Sequence, residues 1–301
     1  MNGKLYIVAT PIGNLGDMTS RAIGTLRACD IIAAEDTQVS INLLNKFEIR
    51  AKLVSNHKFN EQNSCDYFIR ELLSGKNIGL ISDAGTPCIS DPGAILVKRA
   101  VKNNIIIEGI PGACAATTAL SISGFTVKSF SFIGFFPRES IDTKKLIAKF
   151  KNNPDIYICY ESPKRIIKTL KILAADLELA DICLCNDLTK KFERVYRGTP
   201  GKILAELLEN KSAEKGEYTI VIKTRELNDA GANCVRPQVY ADEHSSPLLS
   251  TEAILIDIML KHNCTLKAAV KIAAAEHNLN KNEAYASSLN LKKIILQQDT
   301  Q

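Results

Sequence analysis

The 301-residue chain has no tryptophan, three methionines and four histidines, and aromatic residues make up only 6% of it. His57, His244, His262 and His277 are scattered, and none stands at ligand spacing from a cysteine, so the usual zinc patterns are excluded. The nine cysteines include no CxxC pair, and Cys159, Cys183 and Cys185 sit in apolar runs. That arrangement points to buried free thiols in a reducing compartment, not to a disulfide frame. Long apolar runs are also missing. Stretches such as "LYIVA" (5–9) and "IIAA" (31–34) are strand-sized, well short of the roughly 18 residues of a membrane-crossing helix. The opening "MNGKLYIVATPIG" has no secretory h-region, and a cytoplasmic protein is expected. Neither GxGxxG nor GxxxxGK[ST] occurs. "GNLG" and "GIPGACA" match only part of the first, although Glu35 lies about twenty residues after Gly13, as a ribose-binding acid would.

What remains is an ordinary globular composition, 46% hydrophobic and 24% charged, with a formal charge of +5. The charge is unevenly spread. Arg138 to Lys171 holds nine Lys and Arg against four Asp and Glu, and Ile258 to Leu296 holds six Lys against two Glu. Such stretches suit an anionic partner such as RNA, and solvated helix faces have the same composition.

Apolar strand-like segments alternate with helical ones. Strands are expected at 4–9, 30–34, 51–54, 77–82 and 105–108, with helices at 19–28, 39–47, 60–74 and 91–102. A second series follows, with strands at 130–135, 155–160, 181–186 and 217–223 and helices at 113–122, 141–151, 163–175 and 200–209. This alternation predicts an α/β fold of largely parallel sheets. The expected organisation is two α/β domains, 1–110 and 111–224, a polar linker at 225–250, and a small helical domain at 251–298.

Three loops share one grammar. "ATPIGNLGDMT" (9–19), "LISDAGTPCISDPG" (80–93) and "IPGACAATT" (110–118) each leave a strand end on glycine, proline and small polar residues. In a parallel sheet these ends converge, and open α/β sheets bind ligands there. Asp91 and Pro92 read as the N-cap and first residue of the following helix.

The ordered motifs "LYIVATPIGNLGDMT", "IIAAEDT", "LISDAGTPCISDPG", "IPGACAATTALSISG", "YESPKRI", "LTKKFERVYRGT" and "KGEYTIVI" resemble the ribosomal small-subunit RNA 2′-O-methyltransferases of the tetrapyrrole methylase superfamily. The resemblance spans roughly 4–224, and more loosely 258–290. It implies two α/β domains with S-adenosylmethionine in the cleft between them, a homodimer, and methyl transfer to a cytidine 2′-hydroxyl in the decoding region of 16S rRNA. It implies that Pro11, Gly13, Asp83, Ala84, Gly85, Thr86 and Ile89 lie on one side of the cofactor. Ala115, Ala116 and Thr117 fall on the other side, with Tyr160, Leu188 and Glu217 closing the second domain's wall.

In-line transfer to a ribose hydroxyl needs positioning first and a base second. Glu35, Asp36 and Asp83 stand at strand ends, and His57 and Glu61 lie just past a third; Lys190 is placed to meet phosphate or a developing oxyanion. Lys164, Lys168 and Lys171 share a helical face which, with Arg165, forms a candidate RNA contact; no metal site is expected. The chain departs from the family pattern at Gln38, where Arg usually follows "EDT", and at Asn186-Asp187, where Arg-Glu usually precedes "LTK". A small-molecule methyltransferase, or an RNA-binding assembly factor that has lost turnover, stays open as an alternative.

Overall fold

The computed structural model describes residues 2–57, 61–224, 255, 258, 265 and 267–271. Five short apolar segments build a first sheet: β1 (Lys4–Val8), β2 (Ile31–Ala34), β3 (Lys52–Ser55), β4 (Ile78–Ile81) and β5 (Ile106–Ile110). They lie in the order β3-β2-β4-β1-β5, and every neighbouring pair is parallel. Parallel neighbours require crossovers, and four helices supply them: α1 (Ser20–Arg27), α2 (Thr37–Lys46), α3 (Glu61–Leu73) and α4 (Ala94–Lys102). Side chains alternate between the two faces of each strand. Leu5, Ile31 and Leu80 pack against Phe68 and Leu72 of α3 and Leu96 of α4. Val8, Ile32 and Ile81 face Leu26 of α1 and Leu44 of α2. Each such buried aliphatic side chain contributes about 1.5–3 kcal/mol. α1 is capped by Thr19, whose hydroxyl accepts from the Ala22 N–H at 3.1 Å.

α4 does not begin as expected. It starts at Ala94, after Gly93 at φ 127, and Asp91 does not cap it. The cap comes through space: the buried carboxylate of Glu61, at the start of α3, accepts from the backbone N–H groups of Gly93 and Ile95, both at 2.9 Å. Residues 83–93 are thereby released from helix formation and left as a loop.

The second sheet comprises β6 (Ser131–Phe135), β7 (Ile156–Glu161), β8 (Asp181–Asn186), β9 (Arg194–Gly198) and β10 (Tyr218–Lys223). Its order is β6-β7-β10-β8-β9. Only β6 and β7 are parallel; β10 runs antiparallel to both β7 and β8, and β9 antiparallel to β8. The expectation of parallel sheets therefore holds for the first sheet and fails for the second, and β9 is a strand the sequence did not announce. Helices α6 (Ser140–Asn152), α7 (Ile166–Asp176) and α8 (Pro200–Glu209) cover one face, placing Phe150, Leu170, Leu173 and Leu207 over Tyr157, Ile182 and Ile220. α5 (Ala115–Ser121) covers the other, with Ala116, Ala119 and Ile12 against Ile158, Cys183 and Val221.

Both sheets belong to one compact unit, residues 1–233, and residues 234–301 form a second. The expected linker and most of the expected helical domain lie outside the described residues; residues 255, 258 and 267–271 are helical. Cys29, Cys65, Cys159, Cys183 and Cys185 are buried free thiols. Among the described residues no helix is long and apolar enough to cross a membrane.

Candidate active site

The carboxyl ends of β4, β1 and β5 are neighbours, so the three glycine-proline loops meet, as the sequence led us to expect. Thr10 and Gly85 exchange backbone hydrogen bonds at 2.8 and 3.1 Å, and Thr86 Oγ1 donates to Ala113 O at 3.1 Å. Two glycines permit this closeness. Gly85 has φ +83, and a Cβ on Gly112 would stand 2.9 Å from that of Ala9. The loops form one wall of a cavity of about 300 Å³, with Ile12, Ala84, Gly85, Thr86, Ile89 and Ala115 on its surface. The opposite wall is built on the second sheet. Tyr160 and Glu161 end β7, Tyr218 begins β10 beside them, and Leu188 and Glu217 lie in adjoining loops.

Tyr160 is fixed by edge-on packing against Phe132 and Phe135, at ring separations of 5.0 and 5.7 Å. Burial, followed by the nearby Cys114 thiol, pushes its phenol well above the usual value, so it stays neutral.

Carboxylates gather at the strand ends. Asp36 caps α2, its side chain accepting from Gln38 N at 2.8 Å, and its own N–H donates to Asp83 Oδ1 at 3.0 Å. Glu35 is raised by burial and then by the Asp83 charge, and Asp83 is raised by burial against the opposing hydrogen bond from Asp36. Asp91 goes furthest: burial, with the charges of Glu35 and Asp83, pushes it up to about 7 against a hydrogen bond from Ser82. Of these four acids only Asp91 lines the cavity. The sequence reading passed it over because Asp-Pro before a helix looks like a cap.

Lys190 is held rather than free. Its Nζ lies 2.9 Å from both Asp187 Oδ1 and Glu217 Oε2. Burial works against its charge, but these hydrogen bonds prevail and raise its pKa. Its stem packs on Gly13, where a Cβ would meet Lys190 Cγ at 2.4 Å. Gly216, at φ +83, touches the same group, for a Cβ there would stand 2.2 Å from Asp187 Oδ2. Gly216→Ala is expected to cost about 2–3 kcal/mol, combining left-handed strain with displacement of the Asp187 carboxylate. The check is a lower urea midpoint at unchanged slope.

Of the other residues the sequence singled out, Pro11, Gly13, Asp83, Ala116 and Thr117 border the cavity-forming loops without lining the cavity. Glu61 is committed to α4, Gln38 is an exposed residue in the first turn of α2, and the Asn186 amide donates to Lys215 O at 3.3 Å. On α7 and the turn before it, Lys164, Lys168 and Lys171 are exposed. Arg165 instead donates to Phe136 O and Pro137 O at 2.8 Å and pairs with Glu161. Phe135 also lines the cavity, as do Glu161 and Ser162 of the "YESPKRI" motif, although the sequence alone marked none of the three as a site residue.

Strain marks the same place. Four of the six non-glycine residues with positive φ among the described residues, Cys88, Ser90, Asp187 and Thr189, lie in the two loops flanking the cleft. Each such conformation costs about 1–3 kcal/mol and persists only where its surroundings enforce it. No group of metal-ligating side chains is present among the described residues.

Comparison with known proteins agrees with this architecture. A family model for Tetrapyrrole (Corrin/Porphyrin) Methylases matches residues 4–204. Relatives that carry the name ribosomal RNA small subunit methyltransferase I include the following three. That of Bacillus subtilis (strain 168) is 39% identical, covering 94% of this chain and 93% of its own. That of Escherichia coli O157:H7 is 36% identical, covering 95% of each. That of Mesomycoplasma conjunctivae is 46% identical, covering 77% of this chain and 96% of its own. Solved structures that share the fold include two enzymes. Diphthine synthase has a TM-score of 0.57 at 14% identity, over 73% of this chain and 90% of that one. Cobalt precorrin-4 methyltransferase has a TM-score of 0.54 at 18% identity, over 73% and 94%. Two α/β sheets, a cleft between them and matching sequence along both place this chain in the tetrapyrrole methylase family.

Proposed function

We propose that the protein transfers a methyl group from S-adenosylmethionine to the 2′-hydroxyl of a cytidine in the decoding region of 16S rRNA. The substrate is the small ribosomal subunit, and the enzyme acts as a cytoplasmic homodimer. The observation that carries the reading is a cleft with an apolar wall and a half-buried carboxyl group, Asp91, on its lining, in a chain whose relatives bear an rRNA methyltransferase name.

The residues fit the cofactor. Ile12, Ile89, Leu188 and Ala115 offer apolar surface for an adenine. Gly85 brings backbone to the cavity surface without a side chain, and a sulfonium beside Asp91, with Glu35 and Asp83 nearby, would favour the ionised carboxylates. Pro11 and Gly13 lie in the first of these loops, and Ala116 and Thr117 in the first turn of α5 beside the third. When bound, S-adenosylmethionine supplies an electrophilic methyl group and leaves as the neutral thioether. The protein does the rest. Its two walls would position a ribose hydroxyl beside the cofactor, and positioning of this kind is worth up to about 7–11 kcal/mol in favourable cases. Asp91, on the cleft lining, would accept the proton that the ribose hydroxyl gives up. Asp36 and Asp83 are occupied by backbone hydrogen bonds, and Lys190 by two carboxylates, so their part is to shape the site.

The test is incubation with methyl-labelled S-adenosylmethionine and small subunits lacking ribose methylation, followed by digestion and mass assignment. Label on a 2′-O-methylcytidine in the decoding region is expected. No label, with cofactor binding intact by calorimetry, overturns the reading and favours a small-molecule substrate or a role in assembly without turnover.

A further inference from the structure

A second cavity, of about 450 Å³, lies between α6 and α7. Its rim is basic: Arg138, Lys144, Lys151, Arg165 and Lys168 line it, against the one acid Asp176. Lys151 is partly neutralised by Asp176 at 3.4 Å, and Arg165 by Glu161 at 3.2 Å. Arg138, Lys144 and Lys168 have no carboxylate partner among the described residues, so the groove keeps a surplus of positive charge. Its floor is Phe136, Thr143, Ile147 and Thr169, all buried, which makes it a formed trough and not a scatter of surface lysines.

The groove and the active-site cleft are lined by neighbouring residues. Phe135 lines the cleft and Phe136 the groove; Glu161 and Ser162 line the cleft and Arg165 the groove. The join is rigid. Buried Glu161 accepts from Thr169 Oγ1 at 2.6 Å and from Ser162 N at 2.7 Å, and Arg165 ties the pair to Phe136 O and Pro137 O. At the cleft itself Phe135 packs edge-on against Tyr160 yet is 57% exposed, so much of its ring stays open to solvent. A basic trough leading from an exposed aromatic ring is the combination that holds single-stranded nucleic acid, phosphates in the trough and a base on the ring.

We propose that the α6–α7 groove seats the phosphates of the RNA strand flanking the target nucleotide, and that Phe135 stacks on a base at the cleft mouth. This rests on the rRNA reading above, and it differs from a contact made by α7 alone. Lys168 and Arg165 belong to the groove, while Lys164 and Lys171 lie outside it.

The experiment uses the full chain with S-adenosylmethionine and measures both methyl transfer to small subunits and direct binding of small-subunit RNA across a salt series. For Lys144→Ala with Lys168→Ala, the slope of log K against log salt is expected to fall by about 1.4, since each lost phosphate contact on a single strand removes about 0.7. KM should rise tenfold or more, with kcat within twofold and cofactor affinity unchanged. Lys98→Ala with Lys102→Ala, which removes the same charge from α4, should leave the slope intact. Phe135→Ala should weaken RNA binding about 5- to 150-fold with no change in slope. If the wild type methylates subunits but the groove pair leaves slope and KM unchanged, the groove proposal falls and the rRNA reading stands. If no methyl is transferred but the slope falls in the groove pair, the reverse holds. Equal loss in the α4 pair reduces the effect to net charge and overturns the groove.

Discussion

Asp91→Asn is expected to lower kcat about 10²–10⁴-fold, the usual contribution of a positioned base, while making the protein more stable at neutral pH. Both effects come from one cause. Burial and the neighbouring Glu35 and Asp83 charges push Asp91 up to about 7, so the fold favours its protonated form. An acid raised on folding holds more protons in the native than in the unfolded state, and stability therefore falls as pH rises from about 4 to about 7 and stays reduced above that. Asparagine has the shape of the neutral carboxyl without the charge. Because Asp91 is only half buried, solvent screening limits the gain to about 1–2 kcal/mol at pH 8. In urea melts the gap between variant and parent should close below about pH 4. Activity gives a second signature. A bound sulfonium favours the carboxylate, so kcat in the cofactor complex should inflect below the value of the free protein. Unchanged kcat, or a stability gap that ignores pH, would remove Asp91 from the mechanism.

Glu61→Ala should cost about 2–4 kcal/mol and weaken cofactor binding from a distance. The carboxylate is buried and accepts two backbone N–H groups at the N-terminus of α4, where the helix dipole adds to the attraction. Truncation strands both donors, and each buried unsatisfied donor costs about 1–3 kcal/mol. The loop 83–93, which carries Gly85, Thr86, Ile89 and Asp91, is anchored at its far end by this contact. Faster hydrogen exchange at residues 93–96 and a higher Kd for S-adenosylmethionine should accompany the lower urea midpoint. Glu61→Gln, which keeps an acceptor oxygen, should fall between. A variant as stable as the parent would mean that water replaces the cap.

These two residues also show where sequence reading stops. Strand and helix alternation was legible because buried parallel strands leave continuous apolar runs, and the three loops were legible because glycine and proline in one pattern have few other uses. Direction was not. β8 and β10 are buried on both faces by helices, so their composition matches that of central parallel strands although they pair antiparallel. β9, "RVYRG", is an edge strand with only half-buried Val195 and Tyr196, too weak an apolar signal to separate from a loop. At the site, Asp91 looked like a cap because the true cap, Glu61, comes from another helix. Contacts through space leave no mark in local spacing.

On a translating ribosome the two sheets close at different times. The first sheet is complete once β5 has emerged. The second waits for β10, the last of its strands to be made and the one that sits between β7 and β8. At about 5–20 residues per second, residues 111–223 take on the order of 6–20 s to synthesise. Until then β7 and β8 share no neighbour, and each offers an apolar edge to any other chain. A nascent chain halted between residues 187 and 217 would carry a finished first sheet and a sticky, open second one.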